Sequence, residues 1–426
     1  MLNYPLNTQP HQLLVDVSVI YESDSKTGIQ RVVRALLSQL ISSPPIGYRI
    51  CPVYATRDHQ YRYVPEQENV LYTGSDVVIA REGDVFLGLD LSAHLLPRYK
   101  KQLKGWKSKG VSIHIMVYDI LPLTNPEWFN FRTYINFRRW IKVLVAFSDS
   151  AICISYHGKN ELIHYLSQRF KSESNRLKVS VITLGADIEA SFPSEGLPQN
   201  TQDIFLEIAK RPTILMVGTI EPRKGYLQTL LAFEELWRQG VDVNLVIIGR
   251  SGWKTEVLQR KMRLHPQQNI RLWWFENGSD ELLKRLYNVA SGVIVSSEAE
   301  GFGLPLVESI LHGLPVLARD IDVFREVAGN AVTYFDCKDA KGLSLKIMEW
   351  LSGIASGDIH SESIAVTSWY ESAKQLCRSL DLEQNEGELE SDYQTLNNGK
   401  PAFVTTSLIH KRKQTFLEKL FSIRHK

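Results

Sequence analysis

The sequence predicts an α/β architecture: two Rossmann-like, doubly wound parallel sheets facing each other across a cleft. Three observations carry this. Short β-branched runs alternate with helix-period segments almost from end to end, the pattern of parallel strands joined by crossover helices. The rhythm breaks once, at 191–212, where Ser, Pro, Gly, Gln and Asn crowd the chain. The 426 residues, 44% hydrophobic, supply cores for two or three domains at about 150 residues each.

Taken in order, the expected strands of the first half are Leu13–Val19, Arg49–Tyr54, Val85–Leu89, Ser112–Tyr118, Ser150–Ile154 and Lys178–Ile182. Helical patterns fill the gaps at Ile29–Ile41, Ala93–Lys109, Tyr134–Phe147 and Lys159–Phe170. The second half repeats the scheme with strands Ile214–Val217, Val243–Ile248, Ile270–Trp274, Gly292–Ser296, Pro315–Ala318 and Ala331–Phe335. The expected units are 1–190, a linker 191–212, a second domain 213–362, a helix over 363–380, and a tail 381–426. The tail is acidic over Asp381–Asp392 and then becomes a basic amphipathic pattern over Ser407–Lys426.

Lys+Arg 49 against Asp+Glu 47 leaves a net charge of only +2, so no global field favours nucleic acid as a partner. The four cysteines lie far apart, which predicts reduced thiols and a cytoplasmic chain. No secretory leader or membrane-spanning run is expected. Basic stretches at Arg98–Lys109 and Phe131–Lys142, interleaved with Trp106, Tyr134, Phe137 and Trp140, suggest peripheral contact with an anionic membrane; the plainer reading is solvated helix faces.

The sharpest segment is Glu300-Gly-Phe-Gly-Leu-Pro-Leu-Val-Glu308. It follows an expected buried strand and opens a helix, with Pro305 near its start. Gly301 and Gly303 permit a tight turn and close backbone approach to a ligand, flanked by Phe302 and Leu304. Free N–H groups at the helix start favour an anion such as a diphosphate. A second segment, Val217-Gly-Thr-Ile-Glu-Pro-Arg-Lys-Gly225, puts Arg223 and Lys224 after a strand end, where two cations suit a departing diphosphate. A third, Thr27-Gly-Ile-Gln-Arg-Val-Val-Arg34, opens a helix near Gly28. Asp119 ends a central strand, either accepting from an acceptor hydroxyl or capping the next turn; Asp90 is a weaker candidate of the same kind.

The Glu-x7-Glu arrangement enclosing Gly-Phe-Gly resembles the donor-sugar signature of retaining GT-B glycosyltransferases, family 4. The Thr-Gly-Ile-Gln-Arg and Tyr-Asp-Ile-Leu-Pro segments resemble its polysaccharide-assembly branch. The resemblance implies that Glu300 contacts the donor sugar and Glu308 the ribose. It implies that Arg223 and Lys224 hold the diphosphate, with Gly28, Gly218 and Thr219 nearby. Many relatives have arginine where this chain has Thr219, and His-Asp where it has Tyr118-Asp119. The implied activity moves a hexose (mannose, rhamnose or glucose class, with GDP-mannose favoured) from a nucleotide-diphosphate sugar to an oligosaccharide or lipid-linked acceptor. No metal and no other cofactor are expected. A catalytically silent nucleotide-sugar or glycan-binding partner, or a nucleotide-sugar 2-epimerase, are the alternatives.

Overall fold

The computed structural model describes residues 10–65, 76–170 and 176–384. The acidic stretch beyond Gln384 and the basic amphipathic segment Ser407–Lys426 lie outside the described residues.

The first sheet is built from β1 (His11–Asp16), β2 (Tyr48–Tyr54), β3 (Arg62–Tyr63), β4 (Val85–Gly88), β5 (Ser112–Val117), β6 (Ser150–Cys153) and β7 (Lys178–Val181). Its order is β3-β2-β1-β4-β5-β6-β7, parallel except for the β2–β3 edge pair. The second comprises β8 (Thr213–Val217), β9 (Asn244–Ile248), β10 (Leu272–Phe275), β11 (Gly292–Val295), β12 (Val316–Arg319) and β13 (Thr333–Phe335), in the order β10-β9-β8-β11-β12-β13. In both sheets the direction of strand addition reverses beside the first strand, between β1 and β4 and between β8 and β11. That is where α/β sheets open a crevice at their carboxyl ends.

Helices cover both faces. The first half contributes α1 (Ser18–Glu22), α2 (Gly28–Ser42), α3 (Lys100–Ser108), α4 (Leu121–Thr124), α5 (Phe131–Phe147) and α6 (Tyr156–Arg169). The second carries α7 (Thr201–Ile208), α8 (Tyr226–Arg238), α9 (Glu256–Arg263), α10 (Asp280–Val289), α11 (Leu304–Leu311), α12 (Asp322–Ala328), α13 (Ala340–Ser356) and α14 (Trp369–Ser379). Strands buried on both faces need apolar residues throughout, and Leu13–Val15, Leu245–Ile247 and Val293–Ile294 are almost fully enclosed. The helix starts are specified locally. Thr27 and Gln30 form a reciprocal capping box at α2, while Ser155, Ser279 and Ser368 cap α6, α10 and α14.

Several expectations need correction. β1 stops at Asp16, because the Asp16 carboxylate accepts from the Ser18 N–H at 2.9 Å and turns the chain into α1. The final helix starts at Trp369 rather than 363, where the Ser368 hydroxyl accepts from the Glu371 N–H at 3.1 Å. Residues 191–212 are not irregular throughout, since α7 lies inside them. The aromatics among the basic stretches do not form an outer face: Trp106, Phe137 and Trp140 are 4%, 5% and 1% exposed and pack in the first domain's core. Burying such rings outweighs what they would gain at an interface. Phe131 is 76% exposed. Among the described residues, no helix is long and apolar enough to cross a membrane.

Candidate functional site

The site forms where the carboxyl ends of the two sheets meet. From the second domain, Arg223 Nη1 donates to Glu300 Oε2 at 2.7 Å and to the Ala299 carbonyl at 2.8 Å. Lys224 Nζ also bonds Glu300, and the Ser297 hydroxyl donates to it at 2.8 Å. Two cations on a single buried carboxylate decide its ionisation. Burial alone would raise the Glu300 pKa; Arg223 and Lys224 overcome that and hold it at about 2. Glu221 adds a further carboxylate to Arg223 at 3.1 Å.

Glycines let these parts approach. Gly225, with φ +71°, passes so close to Ser296 that a Cβ would overlap its carbonyl oxygen. Gly303 (φ +99°) sits at the start of α11, and a Cβ there would press into the Phe324 ring. Gly218 lies against Lys224 and Tyr226, while Thr219 packs beside Gly252. Phe302 and Leu304 are buried in the core.

The first domain closes over this surface. Gly28, at the start of α2, faces the Leu304 side chain; a Cβ there would lie 3.6 Å from it. Gly301 touches the Tyr118 backbone so tightly that a Cβ would overlap that carbonyl oxygen, and the Ser155 hydroxyl donates to the Gly301 carbonyl at 2.8 Å. Glu326 of α12 reaches across, each carboxylate oxygen accepting at 2.7 Å, from the N–H groups of Tyr156 and His157 at the start of α6. Arg250 donates to the Ser25 carbonyl at 2.9 Å, and the Trp253 indole to the Trp128 carbonyl at 2.8 Å.

Asp119 lies within the field of Arg223 and Glu300. Burial raises its pKa, and Arg223 opposes that rise. Its Oδ1 also accepts from the Leu121 N–H at 3.1 Å, so the turn-capping role is present as well. Asp90 is enclosed beside Asp16, and burial together with that neighbour's charge lifts it to about 7. It accepts from the Ile20 N–H at 2.7 Å and braces α1 rather than entering the cleft.

Glu308 lies one turn into α11 and does not contact Glu300. Its oxygens are occupied by Arg31, from α2 of the other domain, and by the Tyr287 hydroxyl at 3.0 Å. Sequence reasoning missed Arg31, Asp280, Tyr287 and Glu326. Arg31 and Arg34 did leave a signal: two cations one turn apart among Ile29, Val32, Val33, Leu36 and Leu37, on a face otherwise destined for the core. Asp320 and Asp322 have Asp-x-Asp spacing after β12, but both Asp320 oxygens accept from Arg325 at 2.7 Å. Among the described residues no cluster of His, Cys, Asp or Glu is arranged to hold a metal ion.

Residues 199–356 match the family described as glycosyl transferases group 1. The serotype-specific mannosyltransferase WbdA of Escherichia coli is 40% identical over 379 residues, 87% of this chain and 46% of that protein. The O-antigen chain mannosyltransferase RfbU of Salmonella typhimurium is 26% identical over 227 residues, 53% of this chain and 57% of that protein. The chain thus spans about half the length of these curated relatives. Among solved structures, Anabaena HepE in complex with UDP-glucose superposes with a TM-score of 0.56 at 16% identity, covering 97% of this chain and all of that one. The N-terminal domain of trehalose-6-phosphate phosphatase from Candida albicans gives 0.57 at 14% identity, covering 89% and 98%. At such identities these two structures speak for the fold alone. With its doubly wound domains meeting at their switch points the chain has the GT-B fold, and the match to glycosyl transferases group 1 lies over the second of those domains.

Proposed function

We propose that this chain is a hexosyltransferase of O-antigen-type glycan assembly, taking mannose from GDP-mannose with retention of anomeric configuration. The observation that carries the reading is the convergence of Arg223 and Lys224 on Glu300 at the mouth of α11. Two cations beside one carboxylate at the start of a helix are what a departing diphosphate requires. The likeness to O-antigen mannosyltransferases supports the sugar and the glycan class.

In the proposed reaction the bond between sugar C1 and the diphosphate oxygen breaks, and its electron pair stays on the phosphate. Arg223 and Lys224 neutralise that charge and lower the barrier to an oxocarbenium-like transition state. Glu300, displaced from the two cations by the diphosphate, accepts from the sugar hydroxyls. Glu308 accepts from the ribose. The acceptor hydroxyl bonds C1 on the face the diphosphate leaves, and its proton passes to the leaving phosphate. Asp119 orients the acceptor hydroxyl. No metal takes part, because Arg223 and Lys224 supply the positive charge. The acceptor is a lipid-linked or free oligosaccharide. Membrane contact rests on the cations of α3 and α5 with the exposed Phe131, since Trp106, Phe137 and Trp140 are buried.

The test is a thermal-shift screen against GDP, UDP, ADP and dTDP, with and without Mg2+, followed by transfer from the matching hexose donor. GDP is expected to raise the unfolding temperature equally with and without Mg2+. Transfer from GDP-mannose should give an α-linked product by NMR and persist in EDTA. A chain stabilised by none of the four overturns the donor reading, and a β-linked product overturns retention.

A further inference from the structure

Arg31, whose ion pairs bridge the two domains, has no place of its own in the reaction just described. Arg31 lies on α2 of the first domain and is 9% exposed. Nη1 bonds Glu308 and Nη2 bonds Asp280, both in the second domain. Asp280 continues the network into the connection between domains. Its Oδ2 accepts from the Ser194 N–H and hydroxyl, each at 2.8 Å. The Asp280 N–H in turn donates to Ser194 Oγ at 2.9 Å. The neighbouring Arg34 donates from Nε to the Ser191 carbonyl at 3.1 Å.

The chemistry of this arrangement is competitive. Glu308 is 1% exposed, so no ribose reaches it while Arg31 is seated. Withdrawing Arg31 leaves Glu308 with the Tyr287 hydroxyl as its remaining partner. An ion pair taken out of water is held firmly only while both partners stay together. One guanidinium divided between two carboxylates also retains Asp280 when it gives up Glu308.

We propose that Arg31 gates the nucleotide site: in the free protein it occupies Glu308 and holds the cleft shut, and an arriving ribose displaces it onto Asp280. Arg31 is then a positioning residue that couples donor occupancy to residues 191–194 of the connection. The inference rests on the donor reading above, specifically on Glu308 as the ribose carboxylate. Binding to a state that is only partly populated is weakened by that fraction, so removing the competitor tightens binding.

The test measures GDP affinity by calorimetry for the full chain and two variants that act in opposite directions. Arg31→Gln is expected to bind GDP several-fold to about tenfold more tightly, and its nucleotide-free form to show a larger radius of gyration by X-ray scattering. Asp280→Asn leaves Arg31 wholly to Glu308 and is expected to bind GDP several-fold more weakly, with an unchanged radius. A merely structural role moves both variants the same way. Weaker or unchanged GDP binding by Arg31→Gln, beside normal wild-type binding, overturns the gate and leaves the donor reading standing. Wild-type protein that binds no nucleoside diphosphate removes the donor reading, and the gate falls with it. If Arg31→Gln does not fold, the Asp280→Asn affinity decides: tighter or unchanged binding refutes the gate.

Discussion

Glu300 shows how one residue's environment becomes a property of the whole protein. Its folded pKa of about 2 lies below the ordinary 4.5, so its ion pairs contribute fully above about pH 4.5. That contribution is lost as pH falls from there towards 2. Glu300→Gln should therefore flatten the acid limb of stability, removing on the order of 2–3 kcal/mol of pH-dependent free energy between those limits. Urea titrations of both proteins from pH 2.5 to 7 test this, and parallel curves would contradict it. The sequence marked Glu300, Arg223 and Lys224 because glycine-flanked motifs place them at strand ends. Arg31 stood out only as a cation on the apolar face of α2. A residue whose partners are 249 and 277 positions away leaves no local pattern that names them.

At the scale of elements, the two critical glycines fail in different ways. Gly225 is held left-handed against the Ser296 carbonyl inside the second domain, so Gly225→Ala should lower stability by about 1–3 kcal/mol. Gly301 meets the first domain instead, at the Tyr118 carbonyl. Gly301→Ala should unfold at nearly the wild-type temperature yet lose transfer, because the cleft cannot close. Differential scanning calorimetry paired with a transfer assay separates the two; equal destabilisation by both changes would refute the distinction. Most strands were legible to within a residue or two, since runs such as Leu245–Ile248 have to be apolar on both faces, but β1 ended three residues early and the short edge strand β3 left no signal. Boundaries set by side-chain caps were less so. Ser368 fixes the start of α14 six residues after the apolar pattern begins, and α7 was hidden in a stretch whose composition signals a loop.

For the whole molecule, α14 ties the end of the described chain back to the first domain. Trp369 is 1% exposed, packs on Gly185, and its Nε1 donates to the Asp187 carbonyl at 2.8 Å. Further on, the Ile46 N–H donates to the Glu383 carbonyl at 2.8 Å. Trp369→Ala should cost about 3–5 kcal/mol, as large buried aromatics do. Chemical denaturation followed by tryptophan fluorescence and by circular dichroism gives the value, and a loss under 1 kcal/mol would count against this role for Trp369. The Gly301–Tyr118 contact carries a consequence for chimaeras made by exchanging halves between relatives. At this contact each half supplies backbone, not a replaceable side chain. A hybrid therefore inherits function only from parents that agree on a bare α-carbon at 301 and on the path of the strand end facing it, however well their remaining sequences match.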